Sequence, residues 1–202
     1  MTIDPATTPA RDVYRHLVAC ITPRPIAWVS TISPGGITNL APFSFFNGVG
    51  ANPPAVVFSP VNRRDGSRKD TVINIEANRQ FVVNIVSEAT AERMNCTSAE
   101  LPYEVSEFET CGLTPLASVR VKPPRVKEAA VQMECELIQI VPVGEGPLAA
   151  NLVIGRIVML HASDDVLDEQ RQIDPQKLAT IGRMGTDLYS RTRDRFAMKR
   201  PQ

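Results

Sequence analysis

The densest group of cationic side chains lies in the run RRDGSRKDT, from Arg63 to Thr71. Four cations fall within seven residues there, directly before a predicted helix, Val72 to Asn78, for which Asp70 and Thr71 are candidate caps. Free main-chain N–H groups and the helix dipole favour an anion at a helix start, and Lys or Arg adds charge-assisted hydrogen bonds. The run therefore fits a phosphate monoester, although a solvated basic loop would have the same composition.

A second candidate site is the segment NLAPFSFFN, residues 39–47, which holds three of the seven phenylalanines beside Ser44 and two asparagines. Apolar rings next to amide and hydroxyl groups suit a flat heteroaromatic ligand. Core packing at the end of a strand is the competing interpretation.

Other side chains have weaker signals. His161, one of two histidines, ends a predicted strand and could bind a ligand, move a proton or be purely structural. Trp28, the only tryptophan, is expected in a core or interface. Glu134 and Glu136 are expected on a solvated strand face, with Cys135 between them buried and inert.

Several enzyme classes lack their motifs. The sequence contains no GxGxxG fingerprint, Walker loop, GxSxG elbow or HExxH helix. The four cysteines form no CxxC pair, so we expect neither a metal site nor a structural disulfide. They are Cys20, Cys96, Cys111 and Cys135.

The composition excludes further classes. Among 202 residues, 22 basic side chains balance 22 acidic ones, which argues against general electrostatic capture of nucleic acid or an anionic membrane. No apolar run approaches the roughly 20 residues that span a bilayer, and the first residues do not resemble a secretory signal. We therefore expect a cytoplasmic protein.

Short strand-like segments dominate the predicted secondary structure. A buried or alternating pattern predicts strands at 26–32, 37–41, 55–59, 81–86, 131–137 and 152–161. The alternation breaks at Ile138, where we expect a bulge. A second helix is predicted from Glu88 to about Cys96, a loose arm over residues 1–11, and helix and loop after Pro175. This pattern predicts an antiparallel barrel with attached helices.

An ordered set of motifs closely resembles the flavin reductase-like family, which has an FMN-binding split β-barrel. The motifs are PRPIAWVST (23–31), NLAPFSFFN (39–47), NPP (52–54), KDT (69–71), FVVNI (81–85), EF (107–108), EC (134–135), IGRIV (154–158), His161, GRMG (182–185), Tyr189 and RP (200–201). The resemblance implies a mainly β fold: a six-stranded antiparallel Greek-key barrel with a few peripheral helices. The resemblance covers roughly residues 12–201, and we predict that residues 1–202 form one domain, with an arm at 1–11 and a tail at 182–202.

The resemblance also implies a homodimer with FMN at the subunit interface and NADH or NADPH as electron donor. It assigns no metal, and it gives His161 a tentative role in positioning nicotinamide or a second acceptor. The residues that it assigns to FMN are Ser30, Thr31, Ile32, Asn39, Ala41, Ser44, Phe45, Phe46, Ser59, Arg64, Lys69, Asp70, Thr71 and Tyr189.

The function implied is an NAD(P)H:flavin oxidoreductase, which could supply reduced flavin to a partner monooxygenase. Three alternatives stay open: an oxidoreductase that keeps its FMN and reduces another acceptor, a flavin-binding or sensing protein without turnover, and an unrelated barrel used for protein contacts.

Overall fold

The computed structural model describes residues 1–201, in which five α-helices accompany eleven β-strands. The helices are α1 (Ala10–Cys20), α2 (Asp70–Asn78), α3 (Ala91–Cys96), α4 (Glu107–Thr110) and α5 (Pro175–Leu178). The strands are β1 (Ala27–Ile32), β2 (Thr38–Phe43), β3 (Phe46–Ala51), β4 (Pro54–Phe58), β5 (Gln80–Ile85), β6 (Pro115–Leu116), β7 (Arg125–Val126), β8 (Val131–Val143), β9 (Ala150–Ala162), β10 (Ile181–Met184) and β11 (Leu188–Arg191).

Seven strands form the main sheet, one more than the six expected from the resemblance. Their order is β2-β1-β5-β8-β9-β4-β3, and every neighbouring pair is antiparallel. β1 and β4 are far apart in this order, yet Val29 of β1 and Phe58 of β4 belong to one buried cluster. The sheet therefore curves around that cluster, which confirms the mainly β split-barrel fold.

Both faces of β1 are buried, each in a different core. Ala27 and Val29 point into the cluster inside the barrel, whereas Ile26 and Trp28 point into a second cluster on the outside. This second cluster also contains Met94 of α3. Because side chains alternate along a strand, a strand covered on both faces reads as a continuous apolar run. Trp28 is thus a core residue, as predicted.

The long β8–β9 hairpin extends beyond both predicted strands. The pairing register shifts between Leu137 and Gln139, so the bulge predicted at Ile138 is confirmed. A second shift of the pairing register, between Glu134 and Cys135, was not predicted, because the alternation of apolar and polar residues does not break there. Bulges bend a strand and redirect its side chains, which lets the hairpin follow the curvature of the barrel.

Several elements of the structure differ from the prediction. The helix α1 buries only Val18, although its apolar residues have the spacing of an amphipathic helix, which the sequence analysis missed. The strand β3 is an exposed edge containing Gly48 and Gly50 and has no such pattern. The hairpin of β10 and β11 replaces the helix and loop expected near the C-terminus, although the short helix α5 does follow Asp174. Within residues 1–201, no helix combines the length and apolar character needed to cross a membrane.

Gly155 in β9 is required by a close approach across the barrel. A Cβ at this position would lie 2.7 Å from Cε1 of Phe81, whose side chain is fully buried in the inner cluster. The neighbouring Cβ of Cys135 would be 3.4 Å away, so Phe81 has little room to move. Interiors are packed as densely as organic crystals, and an added methyl group must displace its neighbours.

We expect Gly155→Ala to lower the free energy of unfolding by about 1–3 kcal/mol, the usual cost of overpacking a core. Urea denaturation of the two proteins measures this difference. Gly48→Ala in β3 is the matched control, because nothing lies within 4 Å of a Cβ there. Equal destabilisation by both substitutions would show that the contact with Phe81 is not the cause.

Candidate functional site

The basic run ends at a small cavity of about 100 Å³ beside the start of α2. Segments that are distant in sequence form its walls: the strand β2, the basic run, the residues after α3 and the first residue of α4. The lining residues are Asn39, Ala41, Pro42, Phe43, Arg63, Lys69, Asp70, Thr71, Thr97, Ser98, Ala99, Glu100, Leu101 and Glu107.

The start of α2 has main-chain donors to offer. The helix begins at Asp70, and no side chain caps it, so the predicted capping by Asp70 and Thr71 is wrong. Asp70 instead accepts a hydrogen bond from Arg63 at 2.8 Å, and Thr71 Oγ1 accepts one from Asn39 at 3.2 Å. Among residues 1–201, no group accepts a hydrogen bond from the N–H of Asp70 or Thr71. These two donors are available to an anion.

Cations surround this helix start. Lys69 Nζ lies 2.9 Å from Oε1 of Glu100, whose side chain is 71% exposed. The hydrogen bond and charge of Lys69 lower the pKa of Glu100, and the charges of Arg63 and Arg64 add to this effect. Arg64 is exposed and takes part in none of the ion pairs found within residues 1–201. An exposed ion pair contributes little, so a bound anion can compete with Glu100 for Lys69.

Glu107 is a lining residue that the sequence analysis did not assign to the site. Its Oε2 accepts a hydrogen bond from the N–H of Leu40 at 2.8 Å, and its side chain is largely buried. Burial raises the pKa of Glu107, and the bond from Leu40 offsets only part of this rise. The only sequence signal for Glu107 was its place in the EF motif.

A larger cavity of about 520 Å³ adjoins the first, and the two share Pro42 and Ser98 in their walls. Its other walls come from α1, α3 and the β10–β11 hairpin. The remaining lining residues are Tyr14, Arg24, Ile26, Ser44, Met94, Asn95, Arg183, Gly185, Thr186, Asp187 and Tyr189. The segment treated as a tail in the sequence thus builds one side of the site, and Tyr14 of α1, which lies beyond the predicted arm, adds to it.

Arg24 holds this larger cavity together. Only 3% of the residue is exposed, and its guanidinium donates hydrogen bonds to the carbonyls of Val18, Ile21 and Gly185 and to Ser44 Oγ. Burial lowers the pKa of Arg24. One buried guanidinium therefore bonds to α1, to the turn after β2 and to the turn after β10, and its loss would remove a connection between all three.

Two aromatic rings and a second arginine line the same cavity. The guanidinium of Arg183 lies 4.6 Å from the ring centre of Tyr189. The hydroxyl of Tyr189 donates to Asn95 Oδ1 at 3.2 Å, which links the hairpin to α3. Together with Tyr14 these groups form a surface that is both aromatic and cationic.

The structure brings together only part of the residue set assigned to FMN. Asn39, Ala41, Lys69, Asp70 and Thr71 line the small cavity, and Ser44 and Tyr189 line the larger one. Arg64 lies in the basic run close enough to Glu100 to affect its pKa.

The other residues of that set lie outside both cavities. Thr31 Oγ1 accepts a hydrogen bond from Asn74, the carbonyl of Ile32 accepts one from Asn78, and Ser30 donates to the carbonyl of Pro124. Phe46 lines a separate apolar cavity of about 300 Å³. The N–H of Ser59 donates to the carbonyl of Phe45, whose ring lies 5.9 Å from the Arg24 guanidinium. The assignment of the whole residue set to FMN stays a prediction.

His161 lies at a different cavity, of about 570 Å³, that shares no lining residue with the first two. Its Nε2 is 2.7 Å from Oε1 of Glu134. Glu134 is 0% exposed, so the prediction that it lies on a solvated face is wrong, whereas Glu136 is partly exposed and pairs with Arg156.

Glu134 stays charged in spite of its burial. Desolvation by itself would raise its pKa, but the N–H groups of Val119 and Arg120 and the ring of His161 outweigh it and lower the pKa. Alternation along the strand could not reveal these partners, because they come from a loop distant in sequence.

The expectation that the cysteines are unpaired is wrong for two of them. Cys96, at the end of α3, and Cys111, just after α4, form a disulfide. Cys20 is free and exposed, while Cys135 is free and buried as predicted, and burial raises the pKa of its thiol.

Comparison with known proteins adds independent information. Residues 19–183 match the model of a family described as flavin reductase like domain. The chain is 37% identical to nitrilotriacetate monooxygenase component B from Bacillus cereus, with a TM-score of 0.92 and 98% of each chain covered. It is 31% identical to 2-nitrobenzoate 2-nitroreductase from Pseudomonas fluorescens, with a TM-score of 0.89, covering 100% of this chain and 96% of the other. An uncharacterized protein of Aquifex aeolicus is 44% identical over 182 residues, which cover 90% of this chain and 91% of that protein.

The raised pKa of Glu107 makes the stability of the folded protein depend on pH. A carboxyl whose folded pKa is raised contributes stability that is fully present below its unfolded pKa and lost as pH rises through the folded pKa. Glu107→Gln keeps an oxygen for the N–H of Leu40 and cannot ionise. We therefore expect the free energy of unfolding of the variant, relative to the original protein, to increase from pH 4.5 to pH 8 in urea denaturation.

Glu134→Gln provides a comparison of opposite sign. Since the pKa of Glu134 is lowered, its stabilising contribution is present at neutral pH and lost as pH falls through the folded pKa. The free energy of unfolding of this variant should therefore fall furthest below that of the original protein at neutral pH, and the difference should decrease as the pH is lowered. Parallel profiles for the two variants would contradict the assignment of opposite shifts.

Proposed function

Because this chain belongs to the flavin reductase-like family, we propose that it is an FMN-dependent oxidoreductase that transfers hydride from NADH or NADPH to flavin. One observation carries the proposal. A cavity at a helix start, whose walls hold Arg63 and Lys69 beside three carboxyl side chains, opens beside a larger cavity with aromatic and cationic walls, in one chain of a flavin-related oxidoreductase family.

The donor set of the small cavity fits a phosphate monoester. Lys69 and Arg63 supply positive charge, the N–H groups of Asp70 and Thr71 are unused within the described chain, and the hydroxyl of Thr71 can donate while it accepts from Asn39. Charge-assisted hydrogen bonds to phosphate oxygens are among the strongest that a protein forms. The residues present therefore fit the phosphate of FMN.

The larger cavity suits the rest of the cofactor. Its volume of about 520 Å³ lies within the range of small-molecule and cofactor sites, about 300–1,000 Å³. Since the two cavities share Pro42 and Ser98, a phosphate bound at Lys69 leaves the ring of the same ligand to occupy the space beside Tyr14 and Tyr189.

When bound, FMN supplies a ring that accepts hydride from nicotinamide, so the hydride transfer itself requires no protein acid or base. The contribution of the chain is to bind and orient. Lys69 and the start of α2 hold the phosphate, and Arg24 keeps α1, Ser44 and Gly185 in place around the larger cavity. This division agrees with the lack of a hydrolytic or nucleophilic motif in the sequence.

We also propose a homodimer with FMN at the subunit interface. The tail carries two large apolar side chains that nothing in the described chain covers, Phe196 at 86% and Met198 at 81% exposure. His161 lies at a cavity separate from the proposed flavin site of its own chain. A second copy would therefore be needed for His161 to position nicotinamide or another acceptor.

The physiological acceptor has two candidates. Similarity to a monooxygenase component B supports the supply of reduced flavin to a partner monooxygenase. Similarity to a 2-nitrobenzoate 2-nitroreductase supports an enzyme that retains FMN and reduces another acceptor. Added free flavin should accelerate NADH consumption in the first case, whereas a nitroaromatic acceptor should do so in the second.

The proposal predicts that NADH or NADPH will bleach the bound flavin. The test is an absorbance spectrum of the purified protein with FMN, followed by anaerobic addition of each nicotinamide. Loss of the flavin band, faster than with free FMN at the same concentration, is the expected result. A flavin that binds without bleaching would leave a binding protein without this activity, and failure to bind FMN would overturn the proposal.

Lys69→Met should weaken FMN binding by about 1.5–3 kcal/mol, the usual contribution of a charge-assisted hydrogen bond. The change removes a cation from the cavity and keeps the length of the apolar stem. Calorimetric titration with FMN measures the dissociation constant.

Arg68→Met is the matched control, because Arg68 belongs to the same basic run but pairs with Glu76 and does not line the cavity. Glu100→Gln should tighten FMN binding, since it removes a carboxylate that competes for Lys69. If Lys69→Met and Arg68→Met weaken binding equally, only the general charge of the loop matters and the proposed phosphate contact is wrong.

A further inference from the structure

The Cys96–Cys111 disulfide closes a loop that forms one wall of the proposed flavin site. Between the two cysteines lie residues 97–110, and Thr97, Ser98, Ala99, Glu100, Leu101 and Glu107 of this segment line the small cavity. Ser98 also lines the larger cavity. The covalent link is thus part of the frame of the site, although neither sulfur lies among its lining residues.

The two short helices that flank the segment add little stability of their own. The helix α3 has six residues and α4 has four, lengths at which isolated helices are unstable in water. Thr97 is anchored by the indole N–H of Trp28 at 2.9 Å, and Ser106 by Thr38 at 2.7 Å. Between these anchors, Ser98, Ala99 and Glu100 are exposed on the surface. The disulfide ties the two ends of this wall to each other, whereas hydrogen bonds such as those of Tyr103 to Asn74 at 2.7 Å and of the Leu40 N–H to Glu107 at 2.8 Å hold it against α2 and β2.

The disulfide is accessible to chemistry. Cys96 is exposed and Cys111 is half-buried, so an attacking thiolate can reach the sulfur of Cys96 from solvent. The other two cysteines cannot substitute for this pair, because Cys135 is buried in the inner core and Cys20 lies in α1. Thiol–disulfide exchange depends on such access.

We propose that Cys96 and Cys111 form a reversible redox-modification site that sets the affinity of the adjoining cavities for FMN. This inference rests on the proposed function, since FMN is the ligand whose affinity changes. In the disulfide form the wall at residues 97–101 is held in place. In the dithiol form residues 97–101 gain conformational freedom. FMN then binds more weakly, because binding must order this wall.

The co-reactant is a low-molecular-weight thiol. Its thiolate attacks Sγ of Cys96, the Cys96–Cys111 bond breaks, and Cys111 leaves as a thiolate that takes up a proton. A second thiolate then attacks the mixed disulfide and releases Cys96, which is protonated in turn. Two thiols are thereby oxidised to one disulfide, and the protein pair gains two electrons and two protons.

The test compares FMN affinity in the two redox forms of the full chain. One sample is oxidised in air, and the other is reduced with dithiothreitol, which is then removed under nitrogen. Both samples are denatured and titrated with a thiol reagent. Since the sequence contains four cysteines, the oxidised sample should have two free thiols and the reduced sample four. We expect the dissociation constant of FMN to be at least about fivefold higher for the reduced form, the lower end of typical coupling between two sites.

A reciprocal measurement checks the same coupling without any enzyme assay. If disulfide formation tightens FMN binding by some factor, FMN must protect the disulfide against reduction by the same factor. Saturating FMN should therefore raise the equilibrium constant for disulfide formation, measured by thiol counting in dithiothreitol redox buffers, by the ratio of the two dissociation constants. An unchanged constant would overturn the inference.

Cysteine variants separate this pair from general effects of reduction. Cys96→Ser and Cys111→Ser should both bind FMN like the reduced protein and ignore dithiothreitol, whereas Cys20→Ser should respond as the original protein does. Hydrogen exchange of residues 97–110, measured without FMN on the unmodified chain, should increase on reduction.

The outcomes distinguish this inference from the proposed function. Equal FMN affinity and equal hydrogen exchange in the two redox forms would refute the redox site and leave the flavin function standing. An air-oxidised protein with four free thiols would refute the redox site as well. If neither form binds FMN, the proposed function fails, and the inference that rests on it fails too.

Discussion

The position of α2 against the strands β1 and β2 is the constraint on which the proposed site depends. Three side chains of the helix, about one turn apart, bond to these strands: Thr71 to Asn39 at 3.2 Å, Asn74 to Thr31 at 3.0 Å and Asn78 to the carbonyl of Ile32 at 2.6 Å. Leaving such a buried polar group without its partner costs about 1–3 kcal/mol. Sliding or rotating the helix would break these bonds and is therefore unfavourable. Its start, with Lys69 and two N–H groups that have no acceptor within residues 1–201, is thereby fixed beside β2.

This arrangement gives Thr31 and Ile32 a different importance from the one that the resemblance suggested. Both belong to a motif assigned to the flavin, yet in the described chain their polar groups hold α2. They do not line the cavity themselves, but they position the helix whose first residues line it. The site is therefore built in two layers, with Asn39 bonding to the helix and lining the cavity at once.

The two buried carboxyls show how local donors decide the charge of a buried group. Both lose water on burial, which by itself raises a carboxyl pKa. Glu134 receives main-chain N–H bonds from Val119 and Arg120 and a contact from His161, so its pKa falls. Glu107 receives such bonds only from Leu40 and from its own N–H, and its pKa rises. Glu134 therefore favours the charged form next to His161, whereas Glu107 favours the neutral form at the edge of the small cavity.

Features that depend on neighbours along the chain could be predicted from the amino-acid order. Apolar runs and alternation located the main strands, the break at Ile138 located a bulge, and the density of charge before Val72 located the cationic helix start. Contacts between distant residues became visible only in the folded chain. The pairing of Cys96 with Cys111, the burial of Glu134 and the meeting of α1 with the β10–β11 hairpin all join segments that no periodic pattern connects. The physical reason is that alternation reports which face a side chain occupies, while contact depends on how the whole barrel closes around its core.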